Sequence, residues 1–359
     1  VEDSILLSYP VKLKAGACKP ANFEIKNIDF RIIGMISITD IEGIRVGHAS
    51  DFVAVTGCTV ILFENPAIGA IDLRGGGTST RQIDSLLSHN TFGKIHAILL
   101  TGGSAYGLDA SSGVMKYLEE RNKGLSVGYG MVVPSVPTAV IFDLGIGNGK
   151  VRPDARMGYE ACLNADSSRV EEGSIGAGTG ATVGKLLGLN HATKGGIGMS
   201  GYKFKDGIIV TVLVVVNAFG DIVSPENGEI IAGVRTTPGG SKFAGTVNLF
   251  KKGVKFKEDK SQNTTLAVVA TNARFAKSEL GRIANIAQTG LARVISPVHT
   301  IADGDVVISV SCGDLEGDAN LVGVIAAELT GSAILRALHH SKGLGGIPST
   351  SDLKGDEIT

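Results

Sequence analysis

"KSQNTTLAVVATNA", residues 260–273, passes from a polar segment into an apolar one with no glycine or proline between them. Lys260, Ser261, Gln262 and Asn263 read as linker. Leu266 to Ala270 read as a strand buried on both faces, because no polar residue alternates with the apolar ones. Asn263, Thr264 and Thr265 stand on the boundary. Asn suits turns and Thr suits strands, so such a junction needs no function of its own. Whether it has one depends on the rest of the chain.

Four other runs have the length and β-branched content of a buried strand: "CTVILF" (58–63), "HAILLTG" (96–102), "IIVTVLVVVNAFG" (208–220) and "DVVISVS" (305–311). Helical patterns lie between or after them, in "GLDASSGVMKYLEERNKG" (107–124), "AKSELGRIANIAQTGLARVI" (276–295) and "DANLVGVIAAELTGSAILRALHHS" (318–341), the last two read as amphipathic. The last two strands and helices alternate β-α-β-α. That order predicts a single α/β domain with helices on the outer faces, and strands apolar on both sides predict a layered sandwich. The 50 glycines cluster between the runs and predict tight connections.

With 34 basic and 35 acidic residues, and no long run of one sign, nothing favours nucleic acid or an anionic membrane as partner. Ile208 to Phe219 is too short and too β-branched for a membrane span. Cys18, Cys58, Cys162 and Cys312 are scattered, without a CxxC pair or Cys/His cluster. Neither zinc nor a disulfide framework is expected, and free thiols point to a reducing cytoplasm. Residues 1–34 lack the basic start and continuous apolar core of a signal peptide. They read as an extension of doubtful status ahead of Met35.

Three familiar motifs fail on inspection. "GGIGMSG" (195–201) contains GxGxxG but leads into a strand pattern instead of a helix. "GAGTGATVGK" (176–185) resembles a phosphate loop, yet Thr179 replaces its first Gly and Leu186 its Ser/Thr, leaving Lys185 unexplained. "TGGSAYG" (101–107) nearly forms a nucleophile elbow around Ser104, but Tyr106 stands where the second Gly belongs. His89, His96, His339 and His340 read as structural or solvated, which disfavours a histidine-based triad.

A nucleophile that carries its own base fits better. A break between Asn263 and Thr264 would give Thr264 a free α-amine, whose pKa of about 7.7–8.0 suits it to take the hydroxyl proton. Asn217 ends a long apolar strand, where an amide donor is unexpected; it reads either as a strand-terminating turn residue or as a donor to an oxyanion. Asp303 and Asp305 flank Gly304 at a strand entrance, and extended spacing of two turns both carboxylates to one side. Near Thr264 they would hold its hydroxyl and ammonium, while Lys185 would lower the amine's pKa or help the oxyanion.

From "IEGIRVGH" at 41, the chain resembles the self-processing L-aminopeptidase/D-amidase-esterase family, which includes β-peptidyl aminopeptidases and nylon-oligomer hydrolases. The landmarks are "TGCTVIL", "DLRGGGTSTRQIDSL", "LTGGSAYGLDASSGVM", "PSVPTAVIFDL", "GAGTGATVGK", "VVVNAFGD", "NTTLAVVATNA" and "HTIADGD". The resemblance implies a four-layer α/β/β/α sandwich, shared in outline with ornithine acetyltransferase. It implies self-cleavage at Asn263–Thr264 into an α piece (35–263) and a β piece (264–359) of one domain, and a homo-oligomer such as a tetramer of αβ pairs. Carried over by motif, Thr264 is the nucleophile, Asn217 the oxyanion donor, and Lys185, Asp303 and Asp305 the assisting groups. Tyr106, Phe142 and Asp143 are candidates for the substrate pocket. The peptidase branch generally has Ser at the nucleophile and at position 303, and Phe142 replaces a Tyr of the nylon-oligomer branch.

The expectation is therefore a cytoplasmic amidohydrolase, without metal or cofactor, acting on short peptides or amino-acid amides. Alternatives are an amide-oligomer hydrolase, an acyltransferase on the same fold, and a non-catalytic binding protein.

Overall fold

The computed structural model describes residues 36–91, 93–255 and 263–354. The expected extension 1–34 and linker residues Lys260 to Gln262 lie outside the described residues. The five apolar runs lie in β2 (Thr56–Leu73), β3 (Lys94–Thr101), β6 (Ile209–Asn217), β7 (Thr264–Arg274) and β8 (Val306–Glu316), and β1 (Ile44–Asp51), β4 (Thr138–Val140) and β5 (Gly196–Lys203) join them in the main sheet. The main helices are α1 (Ala110–Glu119), α2 (Ala155–Leu163), α3 (Lys277–Val294) and α4 (Ala319–His340).

Hydrogen bonding runs β5-β6-β7-β8-β2-β3-β4, ending on Thr80–Arg81, with β1 also paired to β2. Most neighbours are antiparallel, but β7 and β8 are parallel and joined through α3, as the β-α-β-α order requires. The long strand β2 is the hinge of this path. Its first part pairs with β1 and β3, its last residues with β8, and its register on β3 shifts between Leu62 and Ala67.

Three apolar clusters turn this path into four layers. Leu213, Val215, Leu266, Val268 and Ile308 meet Ile44, Ile61, Ile98 and Leu100 between the two halves of the folded sheet. Val212, Val214, Ala267, Val269 and Val307 face the opposite way, against Leu280, Ile283, Ala326 and Ile334 of α3 and α4. On the far side, Cys58, Val60, Ala97 and Leu99 pack on Val114 and Ala161 of α1 and α2. The order is helices, sheet, sheet, helices, and it explains why these strands lack polar alternation.

Two readings are corrected here. Asn263 is not linker: it is fully buried and bridges to Asp303. Helix α4 is apolar on more than one side, because α3 and the β5–β6 surface both cover it. It is long and apolar enough to cross a membrane, yet 61% of its most apolar window is buried within this fold. "GGIGMSG" lies in and just before β5, where its glycines let α4 approach. A Cβ on Gly198 would come within 2.2 Å of Ala333 O and 2.5 Å of Ala337 N.

Gly198→Ala is therefore expected to cost about 1–3 kcal/mol by forcing α4 away. Gly281→Ala, in α3 with open space around the added methyl, should gain roughly 0.5–1 kcal/mol. Chemical denaturation of both variants checks the pair, and equal shifts would contradict the packing described.

Candidate active site

The start of β7 is enclosed by main chain. Thr264 is 5% exposed, and its register partner across the sheet is Asn217, the last residue of β6. The Thr264 hydroxyl donates to the carbonyl oxygen of Asn263, the residue before it. That carbonyl also accepts from Gly304 N–H at 2.8 Å, while Asn263 N–H donates to Ala302 O at 2.9 Å.

Asn217 is held from two directions. Its Oδ1 accepts from Thr182 N–H at 3.0 Å and from Lys185 Nζ at 2.7 Å, and Lys185 also reaches Asn217 O at 3.0 Å. Two donors on one atom identify it as the amide oxygen, so Nδ2 points the other way, toward Phe142 O at 3.2 Å. Lys185 arrives here because the glycine-rich loop ends against β6: Lys185 N–H donates to Phe219 O and Gly184 N–H to Gly220 O.

The two aspartates divide their work. Asp303 takes Phe219 N–H on Oδ1, and the N–H and hydroxyl of Thr300 on Oδ2. Asp305 takes Thr265 N–H at 2.7 Å on one oxygen, and His299 Nδ1 at 2.8 Å on the other. Burial, then the charge of Asp305, pushes the Asp303 carboxyl up to about 6. Burial pulls Lys185 down to about 7, against the opposing pull of Asp303 and Asp143.

Of the nine residues singled out in the sequence, Asn263, Thr264, Asn217, Lys185, Asp303 and Asp305 come together. Phe142 touches the group through its carbonyl. Asp143 is not an open pocket wall: it is 5% exposed, one oxygen accepts from Thr56 and the other from Gly103 N–H. Tyr106 is 61% exposed on a 3-10 turn, stacked over the Arg152 guanidinium at 3.8 Å.

Sequence reasoning missed three groups. His299 and Gly304 both lie within the quoted "HTIADGD" stretch, where neither was given a role. Lys194 is fully buried, with Nζ donating to the carbonyls of Gly178, Ala181 and Gly195. It thereby fixes the loop whose next amide, Thr182 N–H, holds Asn217. No sequence signal marked it.

A model of peptidase family S58 matches residues 37–350. The chain belongs to peptidase family S58. It is a hydrolase. An uncharacterized aminopeptidase of Mycobacterium leprae (strain TN) is 37% identical over 351 residues, spanning 88% of this chain and 93% of that protein. A 6-aminohexanoate-oligomer endohydrolase of Kocuria sp. (strain KY2) is 30% identical over 344 residues, spanning 89% and 90%. Among solved structures, the L-aminopeptidase D-Ala-esterase/amidase of Ochrobactrum anthropi superposes with a TM-score of 0.66 at 18% identity, covering 87% of this chain and 88% of that one. A Burkholderia sp. β-aminopeptidase gives 0.65 at 20% identity, covering 90% and 94%. These two likenesses support the layered fold.

The buried lysines give a testable pH dependence. An unfolded lysine keeps its proton to about pH 10.4, whereas burial pulls Lys194, like Lys185, down to about 7 in the folded chain. Above pH 7 the unfolded state thus binds more protons, and stability should rise with pH. Burial raises the thiols of Cys58, Cys162 and Cys312, so above roughly pH 8.5 their term reverses the trend. Denaturation midpoints from pH 7 to 8.5 should climb, with a shallower slope in Lys194→Met whatever its absolute stability. A flat wild-type profile would contradict this assignment.

Proposed function

We propose that this hydrolase is a self-processing aminopeptidase/amidase in which Thr264, freed by cleavage after Asn263, is the nucleophile. The observation that carries the reading is the contact between the Thr264 hydroxyl and the carbonyl of the peptide bond to be cut, in a buried setting of Asn217, Lys185, Asp303 and Asp305. Before the cut no α-amine exists, so the hydroxyl proton needs another acceptor. Asp303 ionises near 6 and Lys185 loses its proton near 7, which makes both suitable at neutral pH. Afterwards the new amine of Thr264 takes over as base. Thr264 then attacks the substrate carbonyl, Nδ2 of Asn217 supports the oxyanion, and water resolves the acyl-enzyme.

Short peptides and amino-acid amides are the substrates first proposed, in keeping with the relatives named as aminopeptidases. One observation favours a second reading as an amide-oligomer endohydrolase, the activity named for the Kocuria relative. Both oxygens of Asp143 are engaged, so it is a poor anchor for a substrate ammonium. Matched substrates with free and acetylated amines separate the two, since only an endohydrolase cleaves the capped form efficiently. Assembly into a homo-oligomer is part of the proposal. The hairpin Leu125–Val133 leaves Leu125, Val127, Tyr129 and Met131 exposed, a surface suited to burial against another copy.

Intact-mass measurement is the decisive experiment. Wild type should yield the fragment 264–359, and Thr264→Ala should stay whole. The initial cleavage rate should climb between pH 6 and 8 as Asp303 and then Lys185 deprotonate. Asn217→Ala should lower hydrolysis by about 10²–10³-fold. A wild type that remains uncut and inactive on amides and esters would remove Thr264 from the mechanism.

A further inference from the structure

We propose that the backbone N–H of Gly304 is the oxyanion donor for self-cleavage, separate from the Asn217 amide assigned to substrate turnover. This rests on the self-processing reading above. Gly304 N–H donates to the Asn263 carbonyl oxygen at 2.8 Å, within the 2.7–3.1 Å at which such donors act. The same oxygen receives the Thr264 hydroxyl. Asn217 faces elsewhere, with its Nδ2 on Phe142 O and its Oδ1 occupied by Thr182 and Lys185.

The donor is held rigidly. Asn263 is clamped to Ala302 O through both its main-chain N–H (2.9 Å) and its side-chain Nδ2 (3.3 Å). Thr300 and His299 tie down the carboxylates on either side of Gly304. Behind the loop lies "RGGG" (74–77), one of the motifs the sequence left without a role. Arg74 N–H donates to Asp305 O and Gly77 N–H to Asp303 O, both at 2.8 Å. The backing is so close that a Cβ on Gly304 would stand 2.7 Å from Gly77 O, and one on Gly75, at φ +81°, 2.3 Å from Asp303 O. Two bare backbones are needed for the N–H to reach Asn263.

In the reaction, the Thr264 hydroxyl swings off the oxygen and attacks the Asn263 carbonyl carbon. The carbonyl electron pair moves onto the oxygen, where Gly304 N–H receives it. Collapse breaks the C–N bond, and the hydroxyl proton ends on the Thr264 nitrogen, leaving an ester and a free α-amine. Water then attacks the ester, releasing the Asn263 carboxylic acid and restoring the Thr264 hydroxyl.

Intact-mass time courses on full-length chains test this. Gly304→Pro has no N–H and should cut about 10²–10³-fold more slowly. Gly304→Ala, which keeps the N–H but must shift it, should fall between that variant and wild type, and Gly281→Ala should match wild type. Where Gly304→Pro fails to fold by circular dichroism, Gly304→Ala and amide exchange decide. In uncut Thr264→Ala, NMR-detected exchange should show the Gly304 amide strongly protected. Exchange at unprotected rates, or wild-type cutting by a folded Gly304 variant, overturns the donor while leaving self-cleavage intact. A wild type that never cuts overturns the self-processing reading, and this proposal with it.

Discussion

The pairing of β7 between β6 and β8 is the constraint from which the site follows. Eight consecutive pairs run from Val210↔Thr271 to Asn217↔Thr264, while Leu266 to Thr271 lie in parallel register with Val306 to Ser311. In a half-exposed sheet, a slip of one residue would expose the apolar face and be costly. Here both faces are apolar, so polarity along the strand does not resist a slip. The polar ends supply the missing specification. Thr265 N–H on Asp305, the Asn263–Asp303 bridge and the Asn217 amide network exist in only one register. The residues proposed for chemistry therefore also align the central strand.

The same enclosure sets the electrostatics. Lys185 is met by an amide oxygen and a main-chain carbonyl, and Lys194 by three carbonyls. Neutral dipoles satisfy the protons of a buried ammonium but offset its desolvation less than a carboxylate in contact would. This keeps Lys185 near its titration point at neutral pH. Asp303 is brought near neutrality from the other side, by burial and by the charge on Asp305. Burial is the first cause of all three shifts, and Lys194, which holds only main-chain carbonyls, is lowered as far as Lys185.

Much of this was legible in the sequence, for identifiable reasons. Runs such as "TTLAVVAT" and "IIVTVLVVVNAFG" lack polar alternation, which revealed sheets covered on both sides. Asn217 and the Asp303/Asp305 pair stood out as polar residues at the ends of such strands. Asn263 misled because a polar neighbourhood resembles linker whether or not it is buried. Asp143, a candidate for the substrate pocket, is buried with its oxygens on Thr56 and Gly103, and partners so distant in sequence leave no local mark. Gly304 and Lys194 were beyond reach for a deeper reason. One acts through a main-chain N–H, which every residue but proline has, and the other through contacts with carbonyls distant in sequence.

The position of the proposed cut follows from these pairings. Severing the chain before Thr264 removes no sheet pair from β7, whose neighbours β6 and β8 belong to the larger and smaller pieces respectively. The pieces would stay joined through a central strand packed on both faces. What the cut does loosen is Asn263, held on one side by Ala302 and Gly304 and on the other by its bond to Thr264 and the Thr264 hydroxyl. Breaking that bond turns a buried amide carbonyl into a carboxylate, whose charge is costly to keep under this cover. Departure of Asn263 would uncover the Thr264 hydroxyl. On this reading the Asn263 peptide is the site's first substrate, and the space it leaves is where the next carbonyl enters.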